Sequence, residues 1–157
     1  MGLIGFYAGS FDPFTNGHLQ IVKKAARCFD KVIVGIGYNQ DKIERIDKNK
    51  MKQAIEETIK EIGLNNVEVV LYEGLTVEKA KQMNCDMLIR GLRNGTDYEY
   101  EENISAINEK LAGMDTCYFR AGDLGYLSSS IVMELYKHNK EIDQYVPSAV
   151  AKLLKAL

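Results

Sequence analysis

Residues 9–18 read Gly9-Ser10-Phe11-Asp12-Pro13-Phe14-Thr15-Asn16-Gly17-His18 and hold one of only two histidines in the chain. Glycine lets an anionic ligand approach the backbone, and a histidine at a helix start can aim an N–H at a reacting phosphate. The run before them, Leu3-Ile4-Gly5-Phe6-Tyr7, is short and apolar, as a buried parallel strand requires. After them Leu19, Val22, Ala26 and Phe29 recur at spacings of three and four, one face of an amphipathic helix. Strand, glycine turn and helix place unpaired N–H groups and a positive dipole end beside the turn, which suits phosphate oxygens. The segment is therefore a nucleotide site. Neither Gly-x-Gly-x-x-Gly nor Gly-x-x-x-x-Gly-Lys-Ser/Thr is present, which argues against a dehydrogenase or a Walker-type ATPase.

Further polar groups stand where other apolar runs end: Tyr38-Asn39-Gln40-Asp41-Lys42, Arg90-Gly91-Leu92-Arg93 and Ser128-Ser129-Ser130. An arginine closing a buried run needs an anionic partner or water. Strands are expected at Leu3–Tyr7, Lys31–Gly37, Val67–Tyr72, Asp86–Ile89 and Thr116–Arg120. Helices are expected to follow Gly17, to span 51–62 and Thr76–Met83, to open at a Thr96-x-x-Glu99 capping box, and to begin at the serine run and at Pro147-Ser148. Strand and helix alternate throughout, so the fold class is α/β: a single Rossmann-like domain over 1–157 with a five-stranded parallel sheet flanked by helices. Ligands of such a sheet bind outside the carboxyl ends of the strands at the switch point, where all four polar segments would collect.

With 157 residues, 46% hydrophobic and 27% charged, the chain suits one compact domain. Net charge −2 opposes a nucleic-acid binder resting on a broad basic face. No apolar stretch reaches the roughly 18 residues of a membrane span, and no signal peptide is evident, so a cytoplasmic location is expected. Cys28, Cys85 and Cys117 lack metal-ligand spacing and are expected as reduced core thiols, with Cys28 mid-helix. No set of metal-ligating residues is expected. His138 reads as a helix-end histidine, and Glu56, Glu57 and Lys60 as a solvated face.

The Thr-x-Gly-His segment resembles the nucleotidyltransferase superfamily. Together with Lys42, Ile89-Arg90-Gly91-Leu92-Arg93, Asp97-Tyr98-Glu99-Tyr100-Glu101 and Ser128-Ser129-Ser130, it resembles the phosphopantetheine adenylyltransferase family over nearly the whole chain. That resemblance implies reversible transfer of AMP from ATP to 4′-phosphopantetheine with Mg²⁺, giving dephospho-coenzyme A and pyrophosphate, by a hexameric enzyme. It implies that Ser10 and Phe11 hold both substrates, that His18 meets the ATP phosphates, and that Lys42 and Arg90 hold the acceptor phosphate. It puts Thr76 near the pantetheine arm and Gly91, Leu92, Arg93 and Glu101 in the ATP site, with Leu124, Gly125, Tyr126, Leu127, Ser128, Ser129 and Ser130 closing over the nucleotide. Asp12 can be explained by an Asx-type turn, and Glu99 by the capping box. The family often has Pro where Ala8 stands, and a Phe-Thr-x-x-Glu-Arg pattern after Lys42, where this chain reads Ile43-Glu44-Arg45-Ile46-Asp47-Lys48-Asn49-Lys50-Met51. Arg45 could share the role of Lys42.

The implied chemistry needs no general base, because a phosphate dianion attacks without first losing a proton. Two anions must be brought together, so cations, dipoles and in-line positioning carry the catalysis, with Mg²⁺ on the ATP oxygens. The alternatives are a related small nucleotidyltransferase with nicotinamide mononucleotide or glycerol phosphate as acceptor, and a noncatalytic ATP sensor. Retention of His18, Lys42 and Arg90 together argues against the sensor.

Overall fold

The computed structural model of the protein describes residues 2–41 and 43–157, without the Asp97 side chain. Lys42 lies outside the described residues. Five strands, β1 (Ile4–Gly9), β2 (Lys31–Gly37), β3 (Val67–Tyr72), β4 (Met87–Leu92) and β5 (Asp115–Arg120), form one sheet of order β3-β2-β1-β4-β5. Every pairing is parallel. The order reverses between β1 and β4, where Phe6 pairs with Leu88 and Tyr7 with Ile89. That junction is the switch point.

Alternation along β1 decides which core each side chain enters. Tyr7 joins Val32, Val34 and Ile89 in the larger core, which is covered by α1 (Asn16–Cys28), α2 (Lys48–Glu61), α5 (Ser129–Lys137) and α6 (Ser148–Lys155). Phe6 and Ala8 face the smaller core with Ile33, Tyr72 and Leu88, beside α3 (Thr76–Gln82). The long α4 (Gly95–Ala112) packs against α3, β4 and β5. Helix α1 lies so close to β4 that a Cβ on Gly91 would come within 2.9 Å of Ile21 Cγ1, which sets the glycine in Arg-Gly-Leu-Arg.

The five expected strands and their parallel arrangement are present, with shifted ends. β1 runs two residues past Tyr7, and β4 runs past Ile89 because its ladder with β5 continues through Arg90–Tyr118, Gly91–Phe119 and Leu92–Arg120. Arg90 is thus a strand residue rather than the first residue of a loop. The capping box at Thr96 does not form: α4 already starts at Gly95, and Tyr98 N donates to Asn94 O at 3.2 Å. Glu99 is not explained by capping. Cys28 is the last residue of α1 and exposed, neither mid-helix nor core, whereas Cys85 is buried and Cys117 half-buried. Burial pushes the Cys85 thiol up to about 11, so it stays protonated. A short 3₁₀ turn, Gly122–Leu124, lies unforeseen between β5 and α5.

Candidate active site

A cavity of about 280 Å³ opens at the carboxyl ends of β1 and β4. It is lined by Tyr7 to Phe11 from β1 and its loop, by Thr15, Gly17, His18 and Ile21 from α1 and its cap, and by Arg90, Gly91 and Arg93. Glu101 of α4 and Ala121, Leu124, Leu127, Ser128 and Ser129 complete it. Phe11 turns the chain into this cavity with a φ of +46°, a strained value for an aromatic residue, while its ring is buried against Tyr7 and Phe14. A Cβ on Gly9 would stand 2.9 Å from that ring, so glycine there makes the turn possible.

His18 is the third residue of α1 and forms a reciprocal cap with Thr15. Thr15 N donates to His18 Nδ1 at 2.9 Å, so Nδ1 is the acceptor and the neutral ring carries its proton on Nε2. The imidazole stacks on Phe14 and meets Phe11 edge-on at 5.0 Å. Burial, helped by the Arg90 and Arg93 guanidiniums, pushes its pKa down to about 4. It is therefore a fixed, neutral N–H donor near neutral pH.

The N–H groups of α1 itself are not free, contrary to the expectation from the glycine turn. Asn16 N donates to Tyr145 O at 2.8 Å, and Gly17 N and His18 N both donate to Thr15 Oγ1. Free amides occur instead at α5: Ser128 Oγ accepts from Ile131 N at 3.1 Å, leaving Ser129 N and Ser130 N without an acceptor among the described residues. Ser129 Oγ donates to Pro13 O at 2.7 Å, which docks this helix end on the first loop. The stronger anion seat is thus the serine run.

Arg90 is held from two sides. Its Nε and Nη2 donate to the two Glu101 carboxylate oxygens at 2.8 Å each, and Nη1 donates to Ala8 O at 2.6 Å. Three of its five N–H groups are used, and one each on Nη1 and Nη2 remains for an anion. Glu101, 7% exposed, acts as the partner that orients the guanidinium. Tyr7, which sequence reasoning passed over, also lines the cavity, and burial raises its phenol pKa so that it stays a neutral donor.

Asp12 does not close its own turn. Its carboxylate accepts from Arg45 N and Ile46 N at 3.0 Å each, tethering the loop after β2 to the first loop. Ile46, 4% exposed, is the apolar anchor of that loop, and Asp47 caps α2. Lys48 sits 3.8 Å over the Tyr38 ring and pairs with Glu44.

The structure brings Ser10, Phe11, His18, Arg90, Gly91, Arg93, Glu101, Leu124, Leu127, Ser128 and Ser129 around one cavity. Leu92, Gly125, Tyr126 and Ser130 do not line it: Leu92 O accepts from Ala121 N, and Tyr126 is exposed against Tyr145. Thr76 lines a second cavity of about 190 Å³ on the other face of the sheet, which shares Ala8, Arg90 and Glu101 with the first. Its hydroxyl lies 2.8 Å from Tyr72 Oη.

Residues 6–139 match the cytidylyltransferase-like family. The chain is 39% identical over 153 residues to the phosphopantetheine adenylyltransferase of Lachnoclostridium phytofermentans, covering 96% of this chain and 93% of that one. It is 41% identical over 155 residues to the phosphopantetheine adenylyltransferase of Streptococcus suis, covering 97% and 94%. In fold it is similar, with a TM-score of 0.72 at 17% identity, to a bifunctional NMN adenylyltransferase/ADP ribose pyrophosphatase from Francisella tularensis, covering 99% of this chain and 49% of that one.

Proposed function

This chain belongs to the phosphopantetheine adenylyltransferases within the cytidylyltransferase-like family, and we propose that its cavity aligns 4′-phosphopantetheine for direct in-line attack on the α-phosphate of ATP. The reaction yields dephospho-coenzyme A and pyrophosphate. The observation that carries the proposal is the junction of two cavities at Arg90. The cavity over β1 and α1 offers His18, Arg93 and the serine run to a nucleotide. The one beside α3 and α4 takes the acceptor's arm past Thr76, with its phosphate at the free Arg90 N–H groups; the family resemblance adds Lys42 to that phosphate.

His18 Nε2 donates to the α-phosphate oxygen on which charge grows, and the Ser129 and Ser130 amides receive the leaving phosphates. The attacking phosphate is already ionised, so the site needs orientation rather than a base. Asp12 and Glu101 are occupied by hydrogen bonds, which fits that economy. Among the described residues no group of three His, Cys, Asp or Glu is placed to hold a metal. On this reading Mg²⁺ would enter on the ATP oxygens, where it would neutralise phosphate charge.

A homohexamer follows from the family resemblance, and α4 supports association: Tyr100, Ile104, Ile107 and Leu111 are exposed along one stripe of the helix. No helix among the described residues is long and apolar enough to cross a membrane. The test is pyrophosphate release with ATP and a panel of acceptors. 4′-Phosphopantetheine should be used about a hundredfold better than nicotinamide mononucleotide or glycerol phosphate, which keep a phosphate but do not match the second cavity, the scale that pocket fit alone can reach. Equal use of another acceptor would overturn the assignment of the second cavity.

A further inference from the structure

Arg45 occupies a position that the adenylyl-transfer scheme above leaves without a task. Its backbone N–H is pinned to Asp12, and its side chain crosses back over the first loop. There Nη1 donates to Asp12 O at 3.4 Å and Nη2 to Ser130 Oγ at 3.3 Å. Both contacts are long and go to neutral acceptors. Among the described residues no carboxylate forms an ion pair with this guanidinium, whereas the half-buried Arg90 is held by Glu101. The Asp12 carboxylate is already taken by two amides.

The far end of Arg45 therefore rests at the second residue of α5, beside the unsatisfied Ser129 and Ser130 amides. Ser129 lines the nucleotide cavity, and Ser130 stands just outside it. A cation held by weak neutral contacts next to free N–H groups gains more from a polyanion than from its resting partners. On the adenylyl-transfer reading the α-phosphate falls to His18 and the acceptor phosphate to Arg90, which leaves the distal phosphates, released together, for the serine run.

We propose that Arg45 is a further ligand of the β- and γ-phosphates of ATP, moving from Ser130 Oγ onto the pyrophosphate leaving group. The proposal rests on the adenylyl-transfer reading and deepens it, by giving the loop after β2 a contact with the nucleotide. It also gives a reason for the Asp12 tether, which fixes where the Arg45 side chain begins.

The test compares ATP with AMP, which lacks the two distal phosphates, by calorimetry on wild type, Arg45→Ala and Arg45→Lys. Arg45→Ala should raise the ATP dissociation constant by about tenfold or more, as expected for one charge-assisted contact, and leave that for AMP unchanged. Arg45→Lys should recover part of the loss, keeping the charge without the fork. In the reverse reaction the KM for pyrophosphate should rise with Arg45→Ala while that for dephospho-coenzyme A holds. Unchanged ATP affinity, or equal losses for ATP and AMP, would overturn the proposal, the latter reducing Arg45 to a brace for the loop. If wild type released no pyrophosphate with 4′-phosphopantetheine, the adenylyl-transfer reading would fall, while the ATP and AMP affinities would still decide Arg45.

Discussion

Removing the Glu101 carboxylate should damage the acceptor site before it damages the nucleotide site. Two hydrogen bonds of 2.8 Å join Glu101 to Arg90, with Glu101 7% exposed and the Arg90 side chain 34% exposed. Breaking a fully buried pair by deleting one partner costs about 3–5 kcal/mol. Water can reach part of the Arg90 guanidinium, so the expected loss for Glu101→Ala is smaller, about 2 kcal/mol. In a domain of this size each kcal/mol moves Tm by about 2–4 °C, so the midpoint should fall by about 4–8 °C. The released guanidinium keeps its hold on Ala8 O but loses its fixed plane, and the two N–H groups meant for the acceptor phosphate lose their aim. The KM for 4′-phosphopantetheine should rise by about tenfold or more, while ATP affinity changes little. Glu101→Gln, which retains one acceptor oxygen, should fall between. Thermal melts and steady-state kinetics with each substrate varied in turn provide the readout. An unchanged midpoint with unchanged acceptor KM would refute the orienting role, and a loss confined to ATP would place Glu101 in the nucleotide site alone.

His18→Ala should keep the fold and lower kcat by about a hundredfold or more, the scale of losing one transition-state donor; near-normal turnover would remove His18 from the chemistry. By NMR, free His18 should hold its Nε2–H tautomer and titrate near 4, and a midpoint near 6.5 would contradict its enclosure. Because that folded pKa lies below the unfolded value, the unfolded chain binds more protons between about pH 4 and 6.5. The His18 contribution is thus fully favourable above about pH 6.5 and is lost as pH falls through that window. His18→Gln should flatten this part of the stability profile.

What the sequence made legible was set by local pattern. Buried parallel strands such as Val32 to Ile36 and the α1 stripe announce themselves by runs and spacing, and the Thr-x-Gly-His turn names its own chemistry. The capped serine helix was also readable, since Ser128 precedes Ile131, Val132 and Leu135. Features that depend on distant segments were hidden. The Arg90 and Glu101 pair requires α4 to turn back over β4, and the Asp12 carboxylate finds its partners 33 and 34 residues away. The Thr96-x-x-Glu99 spacing predicts a cap that tertiary context overrides, with the helix already running from Gly95. The Thr-x-x-His spacing does encode the way α1 satisfies its own first N–H groups with Thr15.

The base-free mechanism faces its most direct test in one comparison: pyrophosphate release with ATP, Mg²⁺ and either 4′-phosphopantetheine or pantetheine at matched occupancy. Pantetheine presents an alcohol that must lose a proton as it attacks, and it offers no anion to Arg90 or Lys42. Turnover should be confined to the phosphorylated acceptor, with pantetheine essentially inert even where it fills the cavity. Comparable rates for the two would contradict the account, and Asp12 would then be the first group to re-examine as a proton acceptor.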